Sequence, residues 1–140
     1  MNTLREKLTS QPDRTTSEET FRRILLQPTN GIVGLVDELL AASMVGRHQL
    51  DWQADRCRVR FFDGDWKDSI DVPMRKSVFR AILARIAALC NEQTSVAISP
   101  YGGQGDLSVG ANSAILRVAF VNTPETQKLE LMAKSGTGVE

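Results

Sequence analysis

LDWQADRCRVRFFDGDWKDSIDVPMRKSVFRAILARIAALCN, residues 50–91, is the stretch that decides the fold. Leu50-Asp51-Trp52 and Cys57-Arg58-Val59-Arg60-Phe61 alternate apolar and polar residues, the period of a half-buried strand. Asp63-Gly64 supplies a tight turn, because a type I′ hairpin needs positive φ at both central residues, which Asp tolerates and Gly adopts freely. A third short run covers Trp66–Val72, and Pro73 opens a long helix from Met74 to Cys90. On that helix Val78, Phe79, Ile82, Leu83, Ile86, Leu89 and Cys90 form one apolar side, while Arg75, Lys76, Arg80 and Arg85 lie elsewhere. Asn91 is placed to stop it. The pattern predicts an antiparallel meander, His48–Gln53, Arg56–Phe62 and Trp66–Val72, packed on a helix.

Upstream, residues 1–14 are polar and aperiodic and are expected as a flexible arm. Thr15 with Glu18 and Thr16 with Glu19 form overlapping capping boxes for a short helix ending near Leu26, with Phe21, Ile24 and Leu25 on one face. A second helix is expected from Ile32 to Val45, striped by Leu35, Val36, Leu39 and Leu40, with Gly46 as its cap. Downstream the chain turns β-rich. Strands are predicted at Ser95–Ser99, Leu107–Val109, Ala114–Val121 and Gln127–Met132, with a glycine-rich loop at 100–105. Residues 133–140 are small and polar and are expected as a disordered tail. Residues 15–132 thus form one α+β domain: an antiparallel or mixed sheet of about six short strands, with two main helices on one face.

The chain has 140 residues, 41% hydrophobic and 24% charged, enough for a real core. Seventeen Lys plus Arg against seventeen Asp plus Glu leave no net charge, which argues against a binder of nucleic-acid backbones and leaves self-association open. Cys57 and Cys90 sit in apolar-periodic segments and read as buried thiols of a reducing compartment. No run is long enough to insert in a membrane, and the first twenty residues lack a secretory signal, so a cytoplasmic location is expected.

Candidate chemistry is sparse. Gly102-Gly103-Gln104-Gly105 lacks the lysine and the following helix of a phosphate-binding loop. His48 is the lone histidine, without metal-ligand spacing around it. Asp63, Asp65, Asp68 and Asp71 do not complete a calcium loop. Arg58 and Arg60 share a strand face, opposite Cys57, Val59 and Phe61. They read either as a solvated face with cross-strand partners such as Asp51 or Asp71, or as an anion-binding pair. No catalytic residue, metal ligand or cofactor is assigned, and an enzyme using His48 with Asp51 is the remotest reading.

Arg58-Val59-Arg60 and Asp63-Gly64, followed by SVFRAILARIAALCN, resemble the N-terminal domain that precedes the motor in type II secretion and type IV pilus assembly ATPases. The resemblance spans about Gly31 to Met132. His48-Gln49-Leu50-Asp51-Trp52 stands where that family carries Asp-Ile-His, Phe61-Phe62 replaces an arginine before the turn, and the motor's Walker motifs are absent from the chain. The resemblance implies a non-catalytic interaction or regulatory module, with a secretion or pilus ATPase or a second copy as partner. The alternative is a small-ligand or nucleotide-binding domain using Arg58, Arg60, Tyr101, Gly103 and Gly105.

Overall fold

The computed structural model describes residues 12–27, 30–64, 66–94, 97–110 and 114–134. Helices α1 (Pro12–Leu26) and α2 (Gly31–Ala42) precede strands β1 (Arg47–Gln53), β2 (Arg56–Asp63) and β3 (Trp66–Pro73). Helix α3 (Lys76–Gln93) leads to β4 (Gly102–Val109), β5 (Ala114–Asn122) and β6 (Gln127–Ala133). All six strands form one antiparallel sheet in the order β3-β2-β1-β6-β5-β4. Two three-stranded meanders therefore meet at its centre, where β1 pairs with β6.

The expected α+β architecture holds. The core lies between the sheet and the helices, and it takes the predicted stripes. Leu35, Val36, Leu39 and Leu40 of α2 and Phe79, Ile82, Leu83, Ile86 and Cys90 of α3 are buried against Leu50, Val59, Leu116, Val118 and Leu131. Helix α1 joins them, burying Phe21, Ile24 and Leu25. It starts at Pro12, a residue suited to a first helical turn because its missing N–H is not needed there. The capping boxes at Thr15 and Thr16 thus fall inside the helix, as do the last three residues of the expected arm. The rest of the arm lies outside the described residues.

Several boundaries differ from expectation, each for a local reason. Asp63 pairs with Trp66 and so belongs to strand β2 rather than to the centre of the turn as predicted. Gly64 takes the positive φ expected of it (63°), and the β1–β2 hairpin holds a positive-φ pair that was not predicted, Ala54 (φ 53°) and Asp55 (φ 63°). Helix α2 ends at Ala42, where the Ser43 hydroxyl donates to the Leu39 carbonyl at 2.7 Å. Gly46 (φ 79°) is not its cap. It serves the entry to β1, where a Cβ would lie 2.9 Å from the Phe62 carbonyl oxygen. Helix α3 runs past Asn91 to Gln93. At the other end Ala133 belongs to β6, and the Lys134 N–H donates to the Ile115 carbonyl, so these two residues are not tail; 135–140 lie outside the described residues.

The largest departure is the glycine-rich loop, which is strand from Gly102 onward. Gly103 and Gly105 face the helices, and Ile98 crosses over them. A Cβ on Gly103 would lie 2.8 Å from Ile98 Cγ2, and one on Gly105 would lie 3.1 Å from Ile98 Cδ1. The glycines are there for close approach of a side chain. Residues 97–99 carry a single bridge, Ser99 to Gly102, in place of the strand predicted at Ser95–Ser99, whose 95–96 lie outside the described residues. Asn91 holds this crossing segment: its amide donates to the Ile98 carbonyl at 3.1 Å and accepts from the Ile98 N–H at 2.6 Å.

Both sheet edges are covered at defined points. On β3 the Asp68 carboxylate accepts the Ser69 N–H at 2.7 Å, and Pro73 has no N–H to offer. On β4, Gln93 accepts the Ser108 N–H at 2.8 Å and reaches the Ser108 carbonyl at 3.4 Å, doing with a side chain what a neighbouring strand would do with its backbone.

Candidate functional site

With all three helices on one side, the opposite face of the sheet is bare of any other described element. Its composition follows from the register. Three rungs cross all six strands, and each can be read from β3 to β4. The first is Asp71, Arg58, Asp51, Lys128, Val121 and Gly102. The second is Ser69, Arg60, Gln49, Glu130, Ala119 and Gln104. The third is Lys67, Phe62, Arg47, Met132, Arg117 and Asp106. The first rung alternates in charge over four strands, the arrangement that favours cross-strand pairing.

The ion pairs follow this lattice. Arg58 Nε donates to Asp71 Oδ1 at 2.9 Å, and Arg60 Nη1 donates to Asp51 Oδ2 at 2.6 Å. Arg47 Nε donates to Glu130 Oε2 at 2.8 Å, and Gln49 adds a weaker contact to the same oxygen. Asp106 accepts from Arg117 at 3.0 Å and from Lys134 at 3.1 Å. The Arg58 hydrogen bond holds the Asp71 carboxyl below its ordinary range, and the Arg117 hydrogen bond does the same for Asp106. Every carboxylate of the three rungs is thus engaged by an arginine. Arg56, Lys67 and Lys128 form no ion pair with any described residue. Fixed charge on this face is therefore biased toward the positive, although the chain as a whole is neutral.

A shallow groove of about 580 Å³ runs over β1, β6, β5 and β4 on the same face. Ala119 and Val121 form an apolar part of it, with Gln49, Gln104, Lys128 and Glu130 around them. A smaller recess of about 220 Å³ at the β1–β2 turn is lined by Arg56, Arg58, Asp51 and Asp71.

The residues singled out in the sequence do not share one site. Arg58 and Arg60 lie on the bare face with the partners expected for a cross-strand pair. Tyr101 is exposed just before β4, four strands away, about 19 Å at the spacing of paired strands. The missing Cβ of Gly103 and of Gly105 would point to the other side, beneath Ile98, although the Gly103 backbone also lines the groove. Asp68 and Asp71 also stand on opposite faces, Asp68 toward α1 and Asp71 on Arg58. Among the described residues no group of three or more potential metal ligands converges.

His48 is 3% exposed, deep on the helix side. Its ring stacks on Phe21 at 4.8 Å and meets the edge of Phe61 at 5.4 Å, and burial lowers its pKa to about 4. Cys57 and Cys90 are free and buried; burial pushes the Cys57 thiol up to about 12 and that of Cys90 upward. Such thiols are poor nucleophiles. The cations of α3 are partly structural: Lys76 donates to the Pro124 carbonyl at 2.6 Å, and Arg80 donates to Asn122 Oδ1 at 2.8 Å. No helix among the described residues is long and apolar enough to cross a membrane.

What sequence reasoning missed here is Lys128 and the rungs it completes. Its strand was legible, but which strand it would lie beside was not. No protein-family model matches this chain, and no curated protein matches it with significance.

Proposed function

We propose that this chain is a non-catalytic protein-interaction or regulatory module, working in the cytoplasm through the bare face of its sheet. The observation that carries the reading is that face itself. It holds an ion-pair lattice and a shallow groove, whereas the lone histidine and both thiols are sealed on the other side. A group that acts on substrate must reach it, and the histidine and the two thiols do not reach this groove, while its carboxylates Asp51 and Glu130 are held in ion pairs by Arg60 and Arg47. The proposal keeps the likeness to the N-terminal domain of secretion and pilus ATPases. From Gly31 onward, the stretch the likeness spans, the order helix, three strands, helix, three strands supports it, and a motor protein of that kind is the partner it suggests.

A photo-crosslinking residue placed at Ser69 or Ala119 on the bare face should form adducts with a partner protein in cell extract. The same residue at Ala84, exposed on α3, should not. Adducts from Ala84 alone, or from none of the three positions, would reject the reading. The groove beside Lys128 favours a second reading, binding of a small ligand. A rise in melting temperature with a nucleotide or cyclic dinucleotide, abolished by Lys128→Ala, would establish it.

A further inference from the structure

We infer that the partner surface docking on the bare sheet face is an acidic protein surface, held by Arg56, Lys67 and Lys128 together with the arginines of the rungs. The inference rests on the module reading above and adds the chemistry of the partner. Its basis is the imbalance left when the lattice is satisfied. Asp51, Asp71, Asp106 and Glu130 already have arginine partners, and the three remaining cations form no ion pair with any described residue. They are spread out: Arg56 near the β1–β2 turn, Lys128 beside Asp51 in the middle, and Lys67 toward the far end of β3. An incoming surface with spaced carboxylates fits that distribution.

The existing pairs do not oppose the exchange. Arg58 and Arg47 have side chains 47% and 43% exposed, so their pairs are of the kind that contribute little and reform readily with another carboxylate. Single-stranded nucleic acid fits less well, because it needs open aromatic platforms for its bases. Phe62 is the aromatic residue of the three rungs, and the Arg47 guanidinium lies over its ring at 4.8 Å. Six strands of seven to nine residues give a face of about 25 by 25 Å, roughly 600 Å², at standard strand spacing and rise. That is below the area of a tight standard interface, so the complex is weak, fast and sensitive to salt.

The test uses poly-L-glutamate as probe, and poly-uridylate as the competing polyanion, on the whole chain at low salt. Poly-glutamate should perturb backbone amide resonances of β1, β2 and β6 and lose at least tenfold in affinity when salt is raised. The triple variant R56Q/K67Q/K128Q should weaken it at least tenfold while keeping a cooperative melting transition. The helix-side variant R22E/R75E should leave it within twofold. The inference is overturned if poly-glutamate does not bind, if the helix-side variant weakens it equally, or if poly-uridylate binds as tightly. Adducts at Ser69 or Ala119 without poly-glutamate binding would reject the acidic partner and leave the module standing. Absence of both rejects both.

Discussion

Phe21 of α1 lies flat on the His48 ring of β1, with the ring centroids 4.8 Å apart, and so makes the first helix the lid over the chain's lone histidine. His48 Nδ1 has no hydrogen-bond partner there. A base whose folded pKa is depressed binds fewer protons folded than unfolded. Its contribution to stability is complete above the unfolded value near 6.5 and is lost as pH falls from there toward 4. The loss is about 3 kcal/mol by the end of that window. Urea denaturation from pH 7 to pH 4 should show it, and His48→Leu should remove that part of the slope. An unchanged slope in the variant would mean that carboxylates alone cause the acid sensitivity.

Glu18 of α1 acts in the opposite direction. A hydrogen bond shared with Asp68 of β3, and partial burial, raise its pKa to about 7, against the lowering effect of Arg22. The proton it needs is present at low pH, so this contribution is held below about 4.5 and lost as pH rises through 7. The group is substantially solvated, which makes the effect small. Glu18→Gln keeps a donor without needing the proton. It should raise the melting temperature at pH 8 by about 1–2 °C and leave it unchanged at pH 4.

Gln93 stands in for a strand at the β4 edge. Replacing it with alanine leaves the Ser108 N–H and carbonyl to water, at a cost of about 1 kcal/mol. It also opens that edge to another chain. Sedimentation velocity should show concentration-dependent association of Gln93→Ala under conditions where the parent does not change. Equal behaviour of the two would show that Gln93 does not guard the edge.

Gly105 is a packing position. Gly105→Val should destabilise by about 1–3 kcal/mol, because its added carbons meet Ile98 and the Cys90 sulfur, 3.1 and 3.5 Å from the Cβ position. Ile98→Ala makes room. In a double-mutant cycle the pair should therefore cost at least 1 kcal/mol less than the sum of the single changes. Additive costs would mean that Ile98 is not the obstacle.

Ala54 occupies a left-handed conformation that costs an alanine about 1 kcal/mol. Ala54→Gly relieves it but loosens the unfolded chain, leaving a net gain of about 0.5 kcal/mol. Ala54→Asn tolerates the same φ with less loss of that kind and should gain slightly more. Chemical denaturation orders the three proteins; a midpoint for either variant below that of the parent would contradict the reasoning.

Helical stripes and the first meander were legible because burial writes its period directly into the sequence. Leu35, Leu39, Phe79 and Ile86 are all in the core, and Arg58 and Arg60 face the solvent side with Asp71 and Asp51. The first meander's turns were harder, since Asp63-Gly64 and Ala54-Asp55 each flank a hairpin and only the pairing register decides which residues take positive φ. Strand β4 was illegible because glycine is a loop former by local preference. Only the tertiary crossing of Ile98 makes Gly103 and Gly105 suitable for a strand. The strand-like roles of Asn91 and Gln93 were hidden for the same reason: an amide at a helix end says nothing about which backbone it will meet. The site suffered most, because rungs such as Asp71, Arg58, Asp51 and Lys128 join segments far apart in sequence.

The pairing of β1 with β6 has a consequence for how the chain is made. Arg47 and its partner Glu130 are 83 positions apart, so the middle of the sheet stays unfinished until nearly all of these residues have been synthesised. Until then the β1 flank is an unprotected template beside a completed meander, in a topology whose distant contacts make folding slow. A growing chain stalled before β6 should therefore be the species that a chaperone holds, and the last strand to emerge is the one that releases it.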